Sequence, residues 1–242
     1  MRIGTAGWAI PREHAARFPA EGPALVRYGQ VFDALEINSS FHRRHKPQTW
    51  VRWAASVPAS FRFAVKLPRT ITHGAKLVGA RPDLELFFAD VAGLGEKLGP
   101  LLVQLPPSLG FDRRLARTFF ALLRSMHEGP VACEPRHVSW FSPAADELLQ
   151  ALRIARVAAD PPRAEIGNQP GGDSKLLYYR LHGSPRMYRS AYGEQRIAAL
   201  AAQLRAFPAA AERWCIFDNT ASGAAAGDAL LLKEATASET AR

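Results

Sequence analysis

The chain has 242 residues, 48% hydrophobic and 22% charged, with a formal net charge of +9. That length suits one large domain or two small ones. It contains no run of about 18 uncharged apolar residues to cross a membrane, and its start, MRIGTAGWAIPREH, lacks the apolar core of a secretory signal. The expectation is a cytoplasmic globular protein with no membrane partner. A sequence pI near 10.1 suits a polyanionic ligand, but the basic residues are mostly Arg and are spread along the chain, so charge alone is weak evidence for nucleic acid. Cys133 and Cys215 each sit alone in an apolar run, without CxxC spacing, and are expected as buried thiols.

In chain order, the first β-like runs are RIGTAGW (2–8) and DALEINS (33–39), after which Pro47 opens a helix. FRFAVKL (61–67) is followed by a 3.6-residue apolar period over 81–99 and then by PLLVQLP (100–106). A second helical period over 112–129 starts at Asp112, a plausible N-cap, and leads to PVACEPR (130–136). Ser142 followed by Pro143 marks another helix start before AADELLQAL, then RIARVAAD (153–160). The next stretch, PPRAEIGNQPGGDSK (161–175), is dense in Pro and Gly and predicts a long irregular connection or a lid. LLYYRLHG (176–183), the helix EQRIAALAAQLRAF (194–207) and RWCIFDN (213–219) complete the pattern. Eight strands alternating with helices predict a single (β/α)₈ TIM-type barrel over 1–232, with a polar, frayed tail over 233–242.

In such a barrel the site forms at the C-terminal strand ends. The ends here carry Glu36 and Asn38, Lys66, Gln104, Glu134 with Arg136 and His137, Asp160, Arg180 with His182, and Asp218 with Asn219. Glu36/Asn38, Glu134/Arg136 and Arg180/His182 are spaced by two, which puts each pair on one face of its strand. Upper barrel layers also hold purely structural ion pairs, the competing reading for any one residue. Jointly these residues point to a functional mouth, because buried charge is costly where aliphatic side chains would serve.

These strand ends together resemble the DUF72, or YecE-like, family. The motifs run in order: GTAGW (4–8), EINSSF (36–41), FRFAVK (61–66), QLPPS (104–108), EPRHVSW (134–140), YYRLHG (178–183) and FDN (217–219). Each is weak alone; seven in register are specific. The resemblance implies a TIM-type barrel and supplies no activity. The chain departs from the family pattern at His42, where Tyr is usual, at Asp218, where an Asn-Asn pair is common, and at Asp228, where Asn is frequent.

The mouth has the parts for general acid–base chemistry of hydrolase or lyase type on a small anionic, possibly phosphorylated, substrate. Glu36, Glu134, Asp160 and Asp218 are the candidate acids and bases. Lys66 is a candidate base or imine-forming nucleophile, with a paired structural lysine as the alternative. Arg136 and Arg180 fit an oxyanion bidentately, with Trp8, Asn38, Gln104, His137, His182 and Asn219 as further substrate contacts. No cofactor is predicted. A divalent metal on His137 and His182 is a minor alternative, since HxH, HExxH and CxxC spacings are absent. The alternative class is a nucleic-acid or nucleotide binder using Arg43, Arg44, Arg186 and Arg189 with Trp8, Trp140, Tyr188 and Tyr192.

Overall fold

A computed structural model describes residues 1–208 and 210–237. Its strands are β1 (Arg2–Thr5), β2 (Ala34–Ile37), β3 (Arg62–Lys66), β4 (Leu98–Gln104), β5 (Val131–Glu134), β6 (Ala155–Arg156), β7 (Ala158–Asp160), β8 (Gly171–Gly172), β9 (Leu176–Leu181) and β10 (Glu212–Phe217). Its α-helices are α1 (Ala24–Gly29), α2 (Pro47–Ala55), α3 (Arg81–Val91), α4 (Arg113–Met126), α5 (Pro143–Ala151), α6 (Gly193–Ala206) and α7 (Ala224–Ala237).

Local chemistry accounts for the helix boundaries. The Asp112 carboxylate accepts from Leu115 N–H at 2.8 Å and starts α4. Ser142 caps α5, with Pro143 at its first position. In α4 the buried positions Ala116, Phe119, Phe120 and Leu123 repeat at helical spacing, and each buried Phe contributes about 1.5–3 kcal/mol. Helices α1 and α7, which the sequence reading did not identify, bury Leu25 and Tyr28, and Ala225, Ala229 and Leu232.

The strands form a mixed α/β fold with two sheets. One runs β1-β10-β9-β7 and the other β2-β3-β4-β5-β6-β8. All pairings are parallel except β8 on β6. The single closed eight-stranded sheet expected from the sequence is thus replaced by two ladders that meet at two irregular seams. At one seam, β1 and β2 share a lone parallel bridge, Ala6 with Glu36, and a Gly7 N–H bond to the Glu36 carbonyl at 2.9 Å. Gly4 permits this approach, since a Cβ there would stand 2.1 Å from the Ala34 carbonyl oxygen. At the other, the expected run 153–160 breaks at Val157 into β6 and β7, one in each sheet.

The 161–175 connection holds a single 3₁₀ turn, Glu165–Asn168, and the two residues of β8. It is tied down as a crossover. Arg156, 3% exposed, donates to Asp146 Oδ1 at 3.0 Å and to the carbonyls of Ile166 and Gln169. Residues 233–237, expected to fray, form the end of α7; the rest of that tail, 238–242, lies outside the described residues.

Two apolar clusters follow from strand alternation. The larger lies between strands and helices. The smaller lies on the inner face and is built mostly of small residues, Ala34, Ala64, Ala132 and Ala155, around Trp214 stacked on Tyr178 at 6.1 Å.

Candidate active site

Alternation also decides which strand-end side chains meet. Ala34, Ala64, Leu102, Ala132, Tyr178 and Ile216 belong to the inner cluster. Two positions on, in the same phase, stand Glu36, Lys66, Gln104, Glu134, Arg180 and Asp218, and Asn38, Arg136 and His182 continue that phase. The inner face therefore changes from alanine to charge within one repeat of the pleat.

Arg180, fully buried, is the hub. Its Nε and Nη2 reach Glu36 Oε2 and Oε1 at 2.9 and 2.6 Å, its Nη1 reaches Glu134 Oε2 at 2.8 Å, and Nη2 lies 3.0 Å from Asp218 Oδ2. The bidentate fork on Glu36 is the strong form of such a pair. Tyr178 OH donates to Glu36 Oε2 at 2.8 Å. Glu134 accepts on Oε2 also from Gln104 Nε2 at 2.9 Å, and on Oε1 from Arg136 Nη2 at 2.6 Å, with His182 Nε2 at 2.8 Å. Burial pulls the Glu134 carboxyl upward, but Arg136, Arg180 and His182 override it and hold the group well below the usual carboxylate range. Asp218 behaves alike: burial opposes ionisation, and Arg180 and His182 keep it below its ordinary value. The His182 ring bridges two acids, with Nδ1 3.0 Å from Asp218 Oδ2 and Nε2 facing Glu134, so a proton on either nitrogen has an acceptor.

Lys66 is different. It is 7% exposed, and its Nζ stands 3.9 Å from the Phe41 ring centroid, a cation–π contact. Among the described residues its Nζ has no hydrogen-bond or ion-pair partner. Burial, then the charge of Arg180, push its ammonium down to about 8, against the opposing pull of Glu36, Glu134 and Asp218. Nearby, Asn38 Oδ1 and Arg136 Nε are buried with no partner, although Asn38 Nδ2 reaches Asp218 Oδ1 at 3.4 Å.

His73, on a π-helical turn at Thr70–Gly74, was not anticipated from sequence. Its half-buried imidazole packs edge-on to Phe41 at 4.9 Å. Burial lowers its pKa, and so do the charges of Lys66, Arg69 and Arg136, which places three cations around one ring. Tyr178 was missed too, though it precedes Arg180 by two residues, the spacing that pairs the other members.

Four expected site residues are not brought into the network. Asp160 faces the helices, because Ala155, Val157 and Ala159 hold the inward phase; its carboxylate pairs with Arg196 at 3.1 Å. Asn219 follows inward Asp218 and so turns away, donating to the Ser190 carbonyl at 2.9 Å and Asp228 Oδ2 at 2.7 Å. His137 follows Arg136 and caps the 3₁₀ turn at Val138–Phe141 through Ser139. Trp8, past the left-handed Gly7, packs edge-on against Trp53 at 5.2 Å. Of the basic loop, Arg44 is chelated by Asp90 at 2.7 and 2.9 Å. Trp140 is buried, its indole N–H on the Leu109 carbonyl. Tyr192 is also buried, whereas exposed Tyr188 lies edge-on to His182 at 5.6 Å. Among the described residues no group of three His, Cys, Asp or Glu side chains is arranged to hold a metal, and no helix is long and apolar enough to cross a membrane.

Residues 2–242 match the family described as "Protein of unknown function DUF72". The chain belongs to the DUF72 family. Relatives include the UPF0759 protein YecE of Escherichia coli, 28% identical over 124 residues that cover 51% of this chain and 45% of YecE. The UPF0759 protein YunF of Bacillus subtilis is 26% identical over 198 residues, 75% of this chain and 69% of YunF. The match to YecE thus spans less than half of that relative. A DUF72 protein of Thermotoga maritima has a similar fold, with TM-score 0.79 and 24% identity over 96% of this chain and 97% of that one. A DUF72 protein of Enterococcus faecalis gives 0.79 and 20% over 97% and 94%. At these identities the likeness establishes the fold of this DUF72 chain and leaves its chemistry to its own residues.

Proposed function

We propose that this DUF72 protein is a cytoplasmic enzyme of (β/α)₈ type, in which the two sheets work as one barrel and the charged inner face at the strand ends is its active site. The site performs acid–base chemistry of hydrolase or lyase type on a small anionic substrate, phosphate or carboxylate. The observation that carries this reading is Lys66: a nearly buried side chain whose Nζ has no acceptor, near Arg136 Nε and Asn38 Oδ1, which are also unpaired. A purely structural lysine would be expected to hold an ion pair. Lys66 is the base or imine-forming nucleophile, its ammonium pushed down to about 8 so that the free amine becomes available from about that pH upward. Arg136 supplies the positive charge for the substrate anion. His182, between Glu134 and Asp218, carries the proton, and Glu36 with Arg180 fixes the frame.

A thermal-shift screen of phosphorylated and carboxylated metabolites tests this on wild type, Lys66→Met and Glu134→Gln. Hits that stabilise the wild type and lose most of their effect in Lys66→Met support the site; equal shifts in all three proteins refute it. Borohydride reduction with an oxo-acid hit then decides Lys66's part, since an imine leaves a covalent adduct at Lys66 and a base leaves none.

The competing reading is a nucleic-acid binder, favoured by exposed Arg186, Tyr188 and Arg189 on one loop. It requires binding that weakens steeply with salt and survives Glu134→Gln.

A further inference from the structure

Beside the charged mouth lies a separate, partly open cavity of about 210 Å³, lined by the loop after β2, the turn after β3 and helix α3. Apolar cavities of roughly 150 Å³ accept benzene in other proteins, so this one takes a single substituted ring. Its wall includes the apolar side chains of Phe41, Pro68 and buried Phe87, with exposed Leu86 at its edge. Phe41 is shared: Lys66 Nζ stands 3.9 Å from its ring centroid, and the same residue lines the cavity, so the ring is a partition between the two spaces.

Two further features give the cavity a chemical preference. Trp50, 1% exposed, contributes to the wall, and its indole N–H is buried with no acceptor. Buried donors are nearly always satisfied, and leaving one unpaired is unfavourable by roughly 1–3 kcal/mol. At the rim the charges do not cancel. Arg44 is chelated by Asp90, which leaves Arg43 and Arg69, exposed and without an ion pair among the described residues, against the single carboxylate of Asp83. An apolar chamber with a positive rim selects an amphipathic anion.

We propose that this cavity is a second small-molecule site, binding a single-ring compound that carries a phosphate or carboxylate. The ring lies against Phe41, Trp50 and Phe87, and the oxyanion meets Arg43 and Arg69. The site goes beyond the activity proposed for Lys66 and stands without it.

Indole N–H cross-peaks in ¹⁵N–¹H spectra report on it directly, because the chain has five Trp residues with distinct surroundings. Titration with phenyl phosphate is expected to move the assigned Trp50 cross-peak saturably, with inorganic phosphate and benzyl alcohol at least tenfold weaker. The exposed double change Arg43→Ala with Arg69→Ala should weaken phenyl phosphate about tenfold and leave benzyl alcohol unchanged. Lys66→Met should leave the titration within twofold of wild type. A Trp50 cross-peak that stays still while those of Trp8 or Trp53 move overturns the proposal. So does inorganic phosphate matching phenyl phosphate, or undiminished binding in the double variant.

Discussion

Replacing Lys66 with Met, which keeps an unbranched apolar stem, removes an inner-face charge that has no hydrogen-bond or ion-pair partner among the described residues. In the folded protein the ammonium is pushed down to about 8 from an ordinary 10.5. At about 1.4 kcal/mol per pH unit, the folded state therefore carries a penalty on the order of 3 kcal/mol when the group is charged. The penalty is full below about pH 8, where folded and unfolded chains both hold the proton. Between about 8 and 10.5 the folded chain has released it and the unfolded chain still binds it, so stability rises with pH across that window. Lys66→Met is thus expected to be more stable than wild type at pH 7, by roughly 1–3 kcal/mol, and the gap should close steadily from pH 8 to pH 10. Urea unfolding of both proteins at pH 7, 8, 9 and 10 measures it as a difference, which removes the other groups that titrate in that range; with slopes of about 1–3 kcal/mol/M the midpoints should differ by about 1 M at pH 7. A variant less stable than wild type at pH 7, or a gap constant across the series, would show that Lys66 is an ordinary structural cation.

Tyr178→Phe deletes one donor to a buried carboxylate that Arg180 still holds; a loss of about 1.5–3 kcal/mol is expected by urea unfolding, with hits from the ligand screen unaffected. In acid, Glu134 and Asp218 contribute stability that is present above their ordinary values of 4.5 and 3.8 and is lost as pH falls through their lower folded values. Wild type should therefore lose stability steeply below about pH 4.5, and Glu134→Gln, weaker at neutral pH, should show a shallower acid limb by circular dichroism. Cys133 and Cys215 are fully buried, and burial pushes both thiols far up; neither should react with a thiol reagent until the protein unfolds, and labelling at the native rate of a surface thiol would contradict the packing.

Much of the fold was legible because strand runs and helix caps are local signals. Asp112 and Ser142 cap the helices they were expected to start, and the Pro- and Gly-rich stretch at 161–175 carries no α-helix. What was not legible is closure. Whether the first and last ladders join depends on the approach of β1 to β2 at Gly4 and on the break at Val157, and neither leaves a mark in hydrophobic periodicity. Within the site, spacing by two picked out Glu36, Glu134, Arg180 and His182, which the structure brings into contact together with Asp218, a strand-end residue outside those pairs. The errors at Asp160, Asn219 and His137 have one cause: each is an odd step from an inward residue, so its position at a strand end was right and its face was wrong. The inner alanines hold the information to decide the face, because Ala155, Val157 and Ala159 point the 155–160 run away from Asp160.

The same parity explains why the inner face divides into a part that holds shape and a part that can act. Below, small side chains around Trp214 and Tyr178 bring the strands together. Above them, Arg180 must answer three carboxylates at once, and Glu134 in turn receives Gln104, Arg136, Arg180 and His182. Charges bonded this completely are poor acids and bases, because moving a proton breaks several good contacts together. On the proposed function, reactivity therefore belongs at the edge of the network, where bonding capacity is left over: Lys66 Nζ without an acceptor, and Arg136 Nε and Asn38 Oδ1 without partners. Glu36, the most conspicuous residue of the strand-two end, is on this view a positioning residue. Its replacement by Gln should loosen Arg180 and shift the Lys66 titration, measured by the pH dependence of amine labelling, before it touches any proton transfer directly.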